Sequence, residues 1–144
     1  MKGQGYFFED LFPGMEAVYE KRLAPDDIAA FADLTGDRNP LHLDEDFARG
    51  TRYRSRIAHG MLTASLISTV LVTQLPGPGS IYVSQSLRFL RPVRCGDLVT
   101  AAAEVTALHS QRRRVTLACR CLVGRSIVVE GEAVVQVPSR HCAA

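Results

Sequence analysis

Residues 37–42 of this chain read Asp-Arg-Asn-Pro-Leu-His, which sets a carboxylate and an imidazole five positions apart. Pro40 has no N–H and pushes Asn39 out of the helical region. The segment Asp37 to Leu43 is therefore predicted not to continue a preceding helix and to be irregular. Irregular backbone between rigid flanks is where catalytic groups tend to sit. A carboxylate and an imidazole that reach one water can hold it, remove its proton and return a proton elsewhere. A plainer reading of the same residues makes Asp37 an Asx-turn residue after a helix end and His42 a packed side chain. A second place for chemistry is His59-Gly60, at the head of a long apolar run. Free N–H groups and the positive end of a helix starting there would polarise a carbonyl as it becomes an enolate. Glycine would also let a substrate approach the backbone closely. Alternatively, Gly60 merely starts a tightly packed helix.

The third feature is arginine. Arg52, Arg54 and Arg56 alternate just before His59, Arg88, Arg91 and Arg94 recur around Pro92, and Arg112, Arg113 and Arg114 fall in a polar turn. In an extended loop the first three would point one way and present a row of guanidinium groups. The fixed fork of donors on arginine suits phosphate. The competing reading is a solvated charged face, or pairing with Asp44, Glu45 and Asp46. No aromatic residues interleave with these arginines in a way that suggests base stacking. His42, Asp44, Asp46 and His59 are metal-ligand types, but no HExxH or paired-histidine spacing joins them, and neither a metal nor a cofactor is expected. There is no phosphate-cradling glycine loop and no GxSxG nucleophile elbow.

These residues need elements to hold them. Met15 to Leu23 reads as a first strand. Pro25 suits the first turn of a helix, with Asp26 and Asp27 at its positive end. Ile28, Phe31, Ala32 and Thr35 follow at helical spacing, and Gly36 suits the helix end. Asp44 can cap a short turn through Ala48. Thr51 to Ala58 reads as a basic loop. The run from Gly60 to Leu75 is apolar on nearly every side, as expected of a buried helix. Pro76-Gly77-Pro78-Gly79 ends it. Ile81 to Leu90, Asp97 to Leu108, Arg113 to Val123 and Ser126 to Val137 read as strands, rich in β-branched and apolar residues. They are separated by Pro92, Gly96, a turn at His109 to Arg112, and Gly124-Arg125. One buried helix followed by about four strands, with a strand and a helix before them, implies an α+β sheet wrapped around a helix.

Composition agrees with a single domain spanning residues 1–144. The chain is 47% hydrophobic and 22% charged, ordinary for a globular protein and contrary to disorder. The small polar tail after Pro138 is the exception, where order is not expected. A net charge of +2 is too mild to imply a nucleic-acid partner. Met1 to Asp10 lacks the apolar run of a secretory signal, and the apolar stretch from Gly60 is too short and too rich in hydroxyls to span a bilayer. A cytoplasmic protein with no membrane association is expected. The cysteines are Cys95, Cys119, Cys121 and Cys142. Cys119 and Cys121 share a strand face roughly 6.6 Å apart, too far for an undistorted disulfide, so free structural thiols are expected.

The segment Gly36-Asp37-Arg38-Asn39-Pro40-Leu41-His42-Leu43-Asp44 resembles the hydratase motif of the MaoC-like, (R)-specific enoyl-CoA hydratases. The resemblance continues in Ile57-Ala58-His59-Gly60-Met61-Leu62, in Leu75-Pro76-Gly77-Pro78-Gly79-Ser80, in Ser84-Gln85-Ser86-Leu87-Arg88-Phe89, and in Pro92-Val93 and Gly96-Asp97. It implies a hot-dog fold, with an antiparallel sheet wrapped around a long central helix. It implies that Asp37 and His42 activate water and that the backbone N–H of Gly60 meets a thioester carbonyl. Asn39 would shape the loop, and Ser68 would hydrogen-bond near the catalytic pair. It implies reversible hydration of trans-2-enoyl-CoA to the (R)-3-hydroxyacyl product by a homodimer or dimer of dimers. The loop Tyr53-Arg54-Ser55-Arg56 is more basic than is usual in that family, which leaves the acyl carrier open between coenzyme A and acyl carrier protein. Arg52, Arg54 and Arg56 are the candidate contacts to the carrier phosphates. The alternatives are a 3-hydroxyacyl-acyl carrier protein dehydratase of fatty acid synthesis, a thioesterase on the same fold, and a non-catalytic acyl-binding subunit. The Asp-x-Asn-Pro-x-His pattern disfavours the thioesterase, and a scaffold would need neither Asp37 nor His42.

Overall fold

A computed structural model of the chain describes residues 4–141. Strand β1 (Glu16–Arg22) alternates exposed and half-buried residues, and Ala17 and Tyr19 face the core. Helix α1 (Pro25–Thr35) starts with Pro25 in its first turn, where a missing N–H costs nothing. The Asp27 carboxylate accepts the Ala24 N–H at 2.9 Å. Ile28 and Ala32 turn inward and are fully buried. Gly36 ends the helix at φ 82°, a left-handed conformation that favours glycine.

Two short helices follow, α2 (Pro40–Leu43) and α3 (Glu45–Arg49). The expectation of irregular backbone from Asp37 to Leu43 therefore holds only as far as Asn39. Asn39 caps α2, its Oδ1 accepting the Leu41 N–H at 3.1 Å, and Pro40 sits in the first turn, which its fixed φ favours. Gly36 has already ended α1, and the proline starts a new helix. Asp44 caps α3 as expected, its Oδ1 accepting the Phe47 N–H at 3.1 Å.

Helix α4 (Gly60–Thr73) lies across an antiparallel six-stranded sheet. The other strands are β2 (Ile81–Gln85), β3 (Arg88–Phe89), β4 (Leu98–His109), β5 (Arg114–Val123) and β6 (Ser126–Gln136). Their order is β1-β4-β5-β6-β2, with β3 also paired to β6. The stretch predicted as one strand over 81–90 is thus two, separated at Ser86-Leu87. Leu66, Ile67, Val70 and Leu71 of α4 form the core with Val99, Ala101, Ala103 and Val105 of β4 and Leu117, Cys119 and Cys121 of β5. Small alanines on β4 give the helix room to lie against the sheet. Each large aliphatic side chain buried there contributes about 1.5–3 kcal/mol. This is the hot-dog arrangement.

Helix α4 is not buried on every side of the single chain, since Met61 is 57% and Val72 is 37% exposed. The tail, expected to lack order, is tied down through the described residues. Ser139 Oγ donates to Glu9 Oε2 at 2.8 Å, the Arg140 N–H bonds Glu9 Oε1, and the Arg140 guanidinium grips both Asp10 oxygens at 2.6 and 3.0 Å. Charged and backbone hydrogen bonds to the turn at Phe8–Asp10 outweigh the small polar composition there. Cys119 and Cys121 are free and buried, and burial pushes their thiols up to about 11 and about 12. Cys142 lies outside the described residues.

Candidate active site

His42, on α2, is 8% exposed. Its Nδ1 lies 2.8 Å from the Ile57 carbonyl. A carbonyl only accepts, so Nδ1 carries the proton and the neutral ring presents Nε2 as a base. His59, the residue before α4, is 2% exposed and lies against His42 with ring centroids 4.0 Å apart and planes inclined by 32°. The Phe31 ring packs on His59 at 4.8 Å. By the same logic, His59 Nε2 donates to the Asp37 carbonyl at 2.9 Å. The Asp37 carboxylate stays exposed, and its Oδ1 accepts the Asn39 N–H at 3.3 Å.

A ligand atom from each of Asp37, His42 and His59 lies within 4.8 Å of the others. These are donor types that can handle a proton or hold a metal, and each imidazole spends one nitrogen on a carbonyl and keeps the other free. Asp44 and Asp46 do not join the cluster. Asp44 caps α3 and Asp46 pairs with Arg49 at 2.9 Å.

A cleft of about 270 Å³ opens beside His42. Gly60, Thr63, Phe89 and Val93 are among its walls, with Arg52, Tyr53 and Arg91 also lining it. The N–H groups of Gly60 and Met61 take no partner among the described residues, because the first helical bonds to the His59 carbonyl come from Leu62 and Thr63. The first turn of α4 thus offers two unused donors and the positive end of a helix. A Cβ on Gly60 would stand 3.0 Å from the Phe89 ring, so only glycine fits without displacing that ring.

Of the sequence candidates, the fold brings Asp37 to His42 and places His42 and Gly60 on one cleft. Asn39 is the α2 cap. Ser68 is half-buried two turns along α4, lies outside the cleft lining, and makes no hydrogen bond to Asp37 or His42 among the described residues. The expected arginine row does not form. The loop is folded into turns, with Arg54 at φ 65°, so alternate residues do not share a direction. Arg52 lines the cleft and lies over the Tyr53 ring at 5.0 Å. Arg54 does not line it. Arg56 is half-buried, and its Nε donates to the His42 carbonyl at 2.7 Å, which braces α2. Arg94 ties the loop down through Ser55 Oγ at 2.6 Å. Two residues that the sequence named without a specific role are given one by the fold: Arg91 lines the cleft, and His59 contacts both Asp37 and His42. Sequence reasoning gave Thr63 of the cleft wall no role, since it read only as one more residue of the apolar helix.

Known proteins resemble this chain in both sequence and structure. The model of the MaoC-like domain family matches residues 13–122. The chain is 50% identical to an (R)-specific enoyl-CoA hydratase of Rhodospirillum rubrum over 94% of each protein. It is 52% identical to a 3-hydroxybutyryl-CoA dehydratase of Methylorubrum extorquens, over 94% of this chain and 86% of that one. Among solved structures, R-hydratase PhaJ1 from Pseudomonas aeruginosa superposes with a TM-score of 0.90 at 42% identity, covering 95% of this chain and 88% of that one. With its long helix laid on an antiparallel sheet and the Asp37–His42 pair beside the start of that helix, this chain belongs to the MaoC-like domain family.

Proposed function

We propose that this chain is a hydro-lyase that adds water across the C2–C3 double bond of a trans-2-enoyl thioester, forms the (R)-3-hydroxyacyl thioester, and catalyses the reverse dehydration at the same site. One observation carries the reading: the Asp37 carboxylate lies within 4.8 Å of the His42 imidazole, and His42 lines a cleft that contains the unbonded start of α4.

The chemistry follows from the donors and acceptors. Asp37 and neutral His42 both accept, so together they hold one water by its two protons and leave an oxygen lone pair for C3. The thioester carbonyl lies against the Gly60 N–H, where the helix end stabilises negative charge on its oxygen. The water oxygen bonds to C3, and one water proton passes to the Asp37–His42 pair. The double-bond electrons move through C2 onto the carbonyl oxygen as an enolate. A proton from the pair then reaches C2, the carbonyl re-forms, and the net change is one added water. The (R) configuration is carried over from the named hydratase relatives.

Arg52 and Arg91 on the cleft suit the phosphates of a carrier, either coenzyme A or the phosphopantetheine of a carrier protein. A homodimer is part of the proposal. Met61 and Val72 of α4, with Ile81, Val83, Phe89 and Leu90, leave apolar surface open on one chain, and β2 is a sheet edge. The site belongs to the cytoplasm on this reading. Among the described residues no helix is long and apolar enough to cross a membrane.

The test is loss of enoyl absorbance with crotonyl-CoA, followed by chiral analysis of the product and repeated with enoyl-acyl carrier protein. Turnover to the (R) isomer is expected. An (S) product, or no turnover on either carrier, would refute the proposal.

A further inference from the structure

The cleft wall holds a polar group that the described residues leave without a partner. Thr63 is 1% exposed, lines the cleft with His42 and Gly60, and its Oγ1 is buried with no hydrogen bond. Buried hydroxyls are nearly always paired, and an orphan of this kind needs a reason. A helical hydroxyl ordinarily has a partner at hand, because it can bond back to a carbonyl three or four residues earlier. Three residues of the same helix do so: Ser65 Oγ donates to the Leu62 carbonyl at 2.6 Å, Thr69 Oγ1 to the Ser65 carbonyl at 3.4 Å, and Thr73 Oγ1 to the Thr69 carbonyl at 2.6 Å. Thr63 does not use this bond.

We propose that the Thr63 hydroxyl is a second donor to the thioester carbonyl oxygen, acting beside the Gly60 N–H. This rests on the hydro-lyase reading above. Thr63 is one turn beyond Gly60, and a helical side chain leans back over the turn that precedes it. Its hydroxyl therefore belongs to the wall where the enolate oxygen forms. A helical threonine has two accessible χ1 rotamers, so the hydroxyl can turn into the cleft without backbone movement. Unpaired in the free protein and paired in the transition state, it contributes to rate and not to folding.

The test compares Thr63→Val, which swaps the hydroxyl for a methyl of similar shape, with Thr63→Ser, which keeps it. With crotonyl-CoA, Thr63→Val is expected to lower kcat by about 10²-fold, the low end for one oxyanion donor, with KM little changed. Thr63→Ser should stay within a few-fold of wild type. The valine variant should melt no lower than wild type, because it removes an unsatisfied buried group. Wild-type kcat in Thr63→Val overturns the inference. So does a valine variant that unfolds more easily while serine restores stability, which would give the hydroxyl a structural partner. A wild-type chain with no turnover on any enoyl thioester would instead overturn the hydro-lyase reading, and this inference with it.

Discussion

His59→Phe separates positioning from stability. The native ring is 2% exposed, packs against His42 at 4.0 Å and Phe31 at 4.8 Å, and donates Nε2–H to the Asp37 carbonyl at 2.9 Å. Phenylalanine keeps the packing and removes the donor. The lost hydrogen bond costs about 1 kcal/mol. Against this, His59 Nδ1 is a buried atom without a partner, and its removal returns a similar amount. The net change in stability should stay within about 1 kcal/mol, a Tm shift of no more than roughly 2–4 °C for a chain of this size. Turnover should respond differently. The Asp37 backbone loses the tether that sets its carboxylate against His42, and a displacement of about 1 Å costs about 10²-fold, or about 2.7 kcal/mol of barrier. The assay is the initial rate of crotonyl-CoA hydration beside a melting curve. A kcat near wild type in a folded His59→Phe protein would refute the positioning role. His59→Ala serves as the contrast, since the cavity it opens should destabilise the fold by about 3 kcal/mol.

Asp37→Asn and His42→Gln should each lower kcat by about 10²–10⁴-fold with little loss of stability, measured by the same assay and by melting. Replacing Arg52 and Arg91 together by glutamine should raise KM roughly 2- to 30-fold, leave kcat nearly unchanged and flatten the salt dependence of kcat/KM. Sedimentation should find a dimer at micromolar concentration, and Met61→Glu should weaken it by placing a charge on the open face of α4. With their thiols pushed up to about 11 and about 12, Cys119 and Cys121 hold almost no thiolate at neutral pH. Alkylation of either should be slow at pH 7 in the folded protein and rise on unfolding, as mass spectrometry of labelled peptides can follow.

Much of the fold was legible locally. Apolar and β-branched runs mark β1, β4, β5 and β6, and proline and glycine punctuate the chain at Pro25, Gly36 and Pro76. These depend on backbone sterics and on apolar periods of two and 3.6, which neighbours along the chain decide. The pair Asp37 and His42 was legible because its residue types and spacing sit in one short motif. Sequence alone misjudged how that motif folds, since Pro40 begins a new helix after Gly36 has ended the first. It also misjudged the arginines. Treated as an extended loop, Arg52, Arg54 and Arg56 form a row; in the fold, a left-handed residue at Arg54 and a hydrogen bond from Arg56 to the His42 carbonyl break that row. Thr63 became visible only in three dimensions, as did the contacts of His59 and Arg91, which the sequence named without showing what they meet. His59 meets Asp37 from 22 positions away, and Arg91 joins Arg52 on one cleft from a different element. Such meetings depend on how α4 packs across the sheet, a sum of many distant contacts that no local period encodes.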